Sequence, residues 1–227
     1  MKYFKIQILL YLLFTTSIVS SQNNFSGTVH YESTLNLEKT EKLLTEKAKE
    51  KKNKKFMALL KKASSYKKPI KSILQFSNNK GSFVVENKMI RDDDLGQQMA
   101  VLRAGGSNEY YYNDNKKVYL IKECEALGEC FIFDNKHLKW QLTQETKEMN
   151  GYKVFKATRS NGKVIAWYTP SIPIGFGPKG EYGLPGLILE LEIGKIIFKA
   201  TKIILNPKEK VVIKETKGCK RVSYEEY

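Results

Sequence analysis

From its amino-acid sequence the chain reads as mainly β, a curved antiparallel sheet or partly open barrel carrying one helical insertion. Three observations predict this. Short runs alternate apolar and polar residues, which buries one face of a strand and wets the other, the habit of antiparallel sheets. Two Asn-Gly pairs, Asn150-Gly151 and Asn161-Gly162, separate such runs, and both residues tolerate the positive φ of a tight hairpin turn. No β-α-β rhythm appears, which argues against a parallel doubly wound sheet.

The elements follow in chain order. Phe25–Leu37 is rich in Thr, Val and Tyr and reads as the first strand. Ile70–Phe76 and Ser82–Lys88 flank Asn78-Asn79-Lys80-Gly81. Glu109–Asn113 and Lys116–Lys122 flank Asp114-Asn115, a short hairpin turn. Phe131–Asp134 and Leu138–Thr143 come next. Asn150-Gly151 leads into Tyr152–Arg159, and Asn161-Gly162 joins that run to Lys163–Thr169. Leu187–Ile193 and Lys195–Leu205 meet at Gly194, and Val211–Glu215 closes the series. Residues 90–106, with Arg91-Asp92-Asp93-Asp94 at one end and Gly105-Gly106 at the other, read as an exposed loop. The three Asp lack the alternate spacing and the distal Glu of an EF-hand, so no metal is assigned there.

The helical insertion spans about residues 39–65. Residues 38–68 hold twelve Lys and four Glu, a net of +8 out of the +15 of the whole chain. The segment is built from Lys, Glu, Leu and Ala, good helix formers. Leu44 and Ala48 share one face, and Phe56, Leu59, Leu60 and Ala63 follow helical spacing. A solvated helix covering the sheet is the plain reading of such a charge run. Adsorption to an anionic lipid surface is its rival. Nucleic acid is not expected as a partner, because no recognition module is visible.

Residues 1–21 resemble a secretory signal. Lys2 and Lys5 form a basic start, Ile6–Phe14 is an apolar run broken by Gln7, and Val19-Ser20-Ser21 supplies small residues before Gln22. The run is too short to span a bilayer, and no Cys near the cleavage point offers a lipid anchor. The expected product is exported, periplasmic or secreted, with residues 22–227 forming a single β-rich domain. In an oxidising compartment thiols tend to pair. The three Cys allow three single bridges. Cys124 and Cys130 flank a stretch whose Gly128 permits a turn, so these two are expected to bridge and Cys219 to stay unpaired.

Chemistry is sparse. His30 and His137 each stand alone, and no HExxH, Gly-x-Ser-x-Gly, phosphate loop or Cys-x-x-Cys appears. No catalytic constellation, cofactor or metal site is read, and the chain is not expected to be an enzyme. Glu190 and Glu192 share one face of a strand, where the simplest role is the wet side of a sheet. The candidate binding segment is the stretch holding four of the six Pro, namely Pro170, Pro173, Pro178 and Pro185, with Trp167, Tyr168, Phe176 and Tyr182 around them. Pro cannot serve an interior ladder, and a long irregular loop in a compact domain is often functional. Phe176 and Tyr182 are expected to be exposed there. A rigid crossover between sheet edges is the competing reading.

Lys139-Trp140, Gly151-Tyr152, Ala166-Trp167-Tyr168-Thr169-Pro170, Ile172-Pro173-Ile174, Gly177-Pro178 and Gly183-Leu184-Pro185-Gly186-Leu187-Ile188 occur in one order. Over about residues 138–205 this resembles the GLPGLI family, widespread in Bacteroidota and without an established activity. Many members carry Cys two residues after the Gly-Tyr; Val154 stands there instead, so no family disulfide carries over. Within the name motif, Leu184 and Leu187 are expected to be buried. Pro185-Gly186 is expected to form a type II turn, with Leu187, Leu189 and Leu191 on one face beyond it. Two functions remain open: a non-enzymatic module that binds another envelope protein, or a periplasmic carrier or sensor of a hydrophobic ligand. The first requires a filled sheet interior, the second an apolar cavity. The oligomeric state is open too.

Overall fold

Strand β1 (Ser26–Leu35) is the axis of the molecule. Val29, Tyr31 and Ser33 point inward and alternate with His30 and Glu32, the period of two that a half-buried strand imposes. On one side β1 pairs with β2 (Ile70–Ser77), and a meander continues through β3 (Lys80–Val85), β4 (Glu109–Asn113), β5 (Val118–Glu123) and β6 (Phe131–Asp134). On the other side it pairs with β11 (Ile196–Leu205). A second meander runs from there through β10 (Leu187–Ile193), β9 (Val164–Thr169) and β8 (Tyr152–Arg159) to β7 (Gln141–Met149). A short β12 (Lys220–Val222) adds to β6 in parallel. The product is one open 12-stranded sheet, antiparallel at every pairing but the last. The structure, a computed structural model, describes residues 25–223 and 226 apart from 51–53, 87–92, 125–127 and 136–137. The signal-like residues 1–21, His137 and Arg91-Asp92 lie outside the described residues.

The chain itself dictates the curvature. Along the sheet β6 and β7 are ten strand spacings apart, about 48 Å if flat. Yet Asp134 and Gln141 are joined by a linker that reaches at most about 25 Å. The sheet therefore curls until its two arms face each other. Inside the curl Phe83 meets Tyr31, Tyr110 and Phe198 edge to face, with ring centres 6.3, 5.8 and 6.2 Å away. A smaller cluster of Tyr111, Leu120 and Ile132 lies on the outer face of β4–β6, against Val118, Ile213 and Cys219.

The Lys-rich insertion forms two helices, α1 (Leu37–Glu50) and α2 (Lys54–Ala63). The Asn36 side chain caps α1 by accepting from the Lys39 N–H at 3.1 Å. Of the apolar face read from the sequence, Ala63 is buried and Phe56 and Leu60 are half-buried, whereas Ala48 and Leu59 are exposed.

Of residues 90–106, the described residues 93–106 are not a loop. Helix α3 (Leu95–Ala104) occupies most of the stretch. The Asp94 carboxylate accepts from the Gln97 N–H at 2.9 Å, and Gly105, at φ 135°, ends the helix with its N–H on Leu102 O. Asp94 followed three residues later by Gln97 is a capping-box signature, and Gly-Gly is a stop signal, so the sequence did carry the information. The expected strand at Val211–Glu215 is a second correction. These residues form no ladder, because Lys220–Val222 takes the free edge of β6.

Candidate functional site

Strand β9 ends at Thr169 and β10 begins at Leu187. The residues between them form a finger that enters the curl instead of turning back at once. Phe176 pairs with Tyr182 as an isolated bridge, and the Gly183 N–H donates to Gly175 O at 2.9 Å, so the finger is its own small hairpin. Its tip is a single 3-10 turn, Pro178–Gly180.

Side chains from the facing arm grip this finger. Phe176 stacks on Tyr112 with ring centres 4.7 Å apart, and Tyr182 stacks on Tyr119 at 3.7 Å. The Tyr112 hydroxyl donates to Gly177 O at 2.9 Å, and Trp140 Nε1 donates to Tyr182 O at 2.9 Å. Asn135 Nδ2 donates to Gly180 O, and Lys179 Nζ to Arg103 O at 2.8 Å. The bonds to Gly177, Tyr182 and Gly180 satisfy carbonyls that an irregular segment otherwise leaves unpaired in a dry interior, and Lys179 ties the finger to α3. Arg159, on β8, holds the buried Glu181 carboxylate through two of its nitrogens. Burial pushes the Glu181 carboxyl above its ordinary pKa, against the downward pull of Arg159 and Lys179. Burial in turn lowers the Lys179 ammonium, with Glu181 opposing.

The GLPG motif sits where the finger leaves the interior. Leu184 and Leu187 are buried, as the sequence predicted. The turn is different. Gly183 takes the positive φ, 91°, and Gly186 does not. What fixes Gly186 is space: a Cβ there would lie 2.1 Å from Thr169 O. The strand beyond also departs from simple alternation. A bulge between Ile188 and Glu190 sets Ile188 opposite Tyr168 and Leu191 opposite Ala166, so those two share a face. Leu187 shares the face of Glu190 instead of that of Leu191. Glu190 and Glu192 lie on the wet side, paired with Lys147 at 2.9 Å and Lys39 at 2.7 Å.

Outside the finger lies an open cleft of about 830 Å³. One wall is the finger, through Pro173, Tyr182 and the Gly183–Gly186 turn; the other is Asp114, Lys117 and Tyr119 with Asp134 and Asn135. The Tyr119 hydroxyl donates to Asp114 at 2.6 Å and Lys117 Nζ reaches the same oxygen at 2.8 Å. Burial acts to raise the Asp114 carboxyl, but Lys117 and Tyr119 outweigh it and hold it below its ordinary pKa. The same burial and the Asp114 charge push the Tyr119 phenol up.

Of the residues singled out in the sequence, Pro173, Tyr182 and Pro185 line this cleft. Phe176, Pro178 and Tyr168 are buried, and Trp167 lies on the opposite face of the sheet with Lys147 Nζ 4.2 Å from its ring centre. The expectation that Phe176 and Tyr182 are exposed is overturned: they retain 2 % and 5 % of their surface, because the facing tyrosines stack on them. Asp114, Lys117, Tyr119, Asp134 and Asn135 were missed. They come from a different arm of the sheet, and no local pattern ties them to the finger. Cys124 and Cys130 form the expected disulfide, and Cys219 is free.

A family model described as "Protein of unknown function (Porph_ging)" matches residues 158–190, from the end of β8 through the finger into β10. No curated protein matches the chain. Among solved structures, PNGF-II in space group P21 is similar with a TM-score of 0.54 at 15% identity, over 90% of this chain and 32% of that one. PNGF-II in space group C2 gives 0.54 at 13% identity, over 89% and 32%. At these identities the likeness is one of fold, and the chain spans about a third of the length of PNGF-II.

Proposed function

We propose that this chain is an exported, non-enzymatic binding module of the GLPGLI type that takes an extended segment of a partner protein into the cleft beside the finger. One observation carries the reading. The curl that a carrier would keep open for a hydrophobic ligand is packed with Phe83, Phe198, Phe176 and Tyr112, while an open cleft lies outside, along the finger. That cleft has the size of ordinary binding pockets. Its walls are rigid tyrosine and proline surfaces, which suit an extended or Pro-containing peptide. Asp134, exposed beside Arg221, adds negative charge for a basic residue of that segment. The charged groups nearest the finger are spent on structure, Glu181 on Arg159 and Asp114 on Lys117 and Tyr119. Export rests on residues 1–21 and agrees with the Cys124–Cys130 bridge. The fold occupies a third of a longer chain in PNGF-II, as an accessory module can.

The test is selection from a displayed random-peptide library on the purified mature protein. We expect enriched peptides to carry Pro or aromatic residues beside Lys or Arg, and Lys117→Glu or Pro173→Ser to change their affinity about tenfold without moving Tm. Failure to enrich any peptide, or enrichment indifferent to both substitutions, overturns the reading. A lipid recovered by organic extraction of the native protein favours the carrier.

A further inference from the structure

At the edge of the sheet remote from β7, the chain's three cysteines come together. Their sulfurs all lie within 4.8 Å of one another, although Cys219 is 89 residues beyond Cys130. The topology explains the meeting. Cys124 follows β5 and Cys130 precedes β6, which are paired neighbours. β12 then lies parallel to β6 with Lys220 beside Phe131, and the Lys220 N–H donates to Cys130 O at 3.2 Å. One step back along both strands, Cys219 stands next to Cys130. Adjacent strands set those Cα atoms about 5 Å apart, inside the range that a disulfide spans without backbone movement. Cys219 is half-buried and packs on the outer cluster around Leu120 and Ile132. A free thiol is thus held against a formed disulfide by the fold itself.

We propose that Cys124, Cys130 and Cys219 form a thiol–disulfide exchange centre in which Cys219 is the internal nucleophile. The Cys219 thiolate attacks Cys130 Sγ. The Cys130–Cys219 bond forms as the Cys124–Cys130 bond breaks, and Cys124 departs as a thiolate that takes up the proton Cys219 released. One S–S bond is made and one is lost, so the step needs no oxidant or reductant. The two isomers differ in what they hold. The Cys124–Cys130 bridge closes a short loop between neighbouring strands. The Cys130–Cys219 bridge locks the three-residue β12, otherwise a slight edge strand, onto the sheet. It also frees the Cys124 thiolate, which attacks an outside disulfide: a mixed disulfide forms as that S–S bond breaks, and its other sulfur leaves as a thiolate.

The experiment uses the wild-type mature protein purified without reductant. It is held at a series of pH values, quenched in acid, digested with pepsin at low pH and mapped by mass spectrometry without reduction. We expect a Cys130–Cys219 peptide beside the Cys124–Cys130 peptide. Its rate of appearance should rise with pH, because the thiolate is the nucleophile, and should not change over a tenfold range of protein concentration. The Cys124→Ser variant, oxidised in a glutathione buffer, should convert fully to Cys130–Cys219. Absence of the Cys130–Cys219 peptide from the wild type at pH 8 overturns the proposal. So does a rate proportional to protein concentration, or a Cys124→Ser variant that keeps both thiols free.

Discussion

Two of the long segments between strands are opposites. Residues 36–69 run outside it as α1 and α2, carry most of the Lys excess and leave Leu37 and Leu59 each 54 % exposed. Residues 170–186 run inside it with a single 3-10 turn, and Ile172, Ile174, Phe176, Tyr182 and Leu184 are all buried. The outer segment is held together by its own local hydrogen bonds and propensity. The inner one has no repeating bonds of its own and depends on side chains of β4, β5, β8 and the β6–β7 linker. An irregular backbone can be buried only when something else satisfies it. Damage should therefore be severe in the finger and slight in the helices.

The largest effect expected is that of Gly186→Val. The new side chain begins 2.1 Å from Thr169 O and 2.8 Å from Pro170 Cα, both backbone atoms that cannot swing away. The cost should reach about 4 kcal/mol, in the range reserved for core clashes, and lower Tm by roughly 10 °C. An unchanged Tm with loss of an in-cell phenotype would make the motif a recognition site and break the comparison.

Phe176→Ala comes next. It removes a ring stacked on Tyr112 in a buried site, and about 3 kcal/mol is expected from urea denaturation. Leu59→Ala on α2 is the matched control and should cost under about 0.5 kcal/mol, because Leu59 is exposed. Similar values for the two would erase the distinction between the segments.

Arg159→Ala sharpens it through pH. Removing one partner of a buried ion pair costs about 3 kcal/mol. Glu181 is buried, and its pKa lies above the ordinary glutamate value even with Arg159 present. For a carboxyl raised on folding, the native state holds the proton where the unfolded chain has lost it. The stability it contributes therefore falls as pH rises from the unfolded pKa through the folded one. Without Arg159 that rise is larger. The deficit of Arg159→Ala against wild type should be greatest at pH 7 and shrink toward pH 4 in parallel urea titrations. A deficit independent of pH would mean that Arg159 acts through packing on Trp140, 5.6 Å from its ring centre, and not through charge.

The same division governs what the sequence could reveal. Strand and turn signals are local, so Glu109–Asn113, Phe131–Asp134, Tyr152–Arg159 and Leu187–Ile193 were legible to the residue. Asn161-Gly162 takes the positive φ values, 55° and 77°, that its identity requires. Helix α3 is legible in its ends, through Asp94, Gln97 and Gly105, but not in its body, whose apolar residues keep no clear face and match a loop. Val211–Glu215 has a strand's composition without a partner, and pairing is not a local property. The cleft was half legible. Proline and glycine marked the finger, but Asp114 and Tyr119 meet it only because the sheet curls, and the curl follows from how β6 connects to β7.

The smallest effect on stability is expected where charge is densest. Replacing Lys42, Lys49, Lys54, Lys55, Lys61 and Lys62 by Gln removes six exposed cations from α1 and α2. Gln is nearly as good a helix former as Lys, and solvated charges contribute little, so the total change should stay within about 1 kcal/mol. Binding is another matter. Each lysine near an anionic bilayer contributes roughly 1 kcal/mol of attraction, and the exposed Leu37 and Leu59 offer apolar contact beside them. The proposed lipid surface thus predicts a protein that floats with phosphatidylserine vesicles at low salt, a variant that does not, and two Tm values that agree. Salt should release the wild type as the Debye length shortens from about 30 Å at 0.01 M to about 10 Å at 0.1 M. A wild type that stays at the bottom of the gradient at 0.01 M salt rejects the lipid surface and leaves α1 and α2 as a solvated cover on the sheet. A variant that melts several degrees lower would show instead that the lysines bind the sheet, as Lys39 does through Glu192.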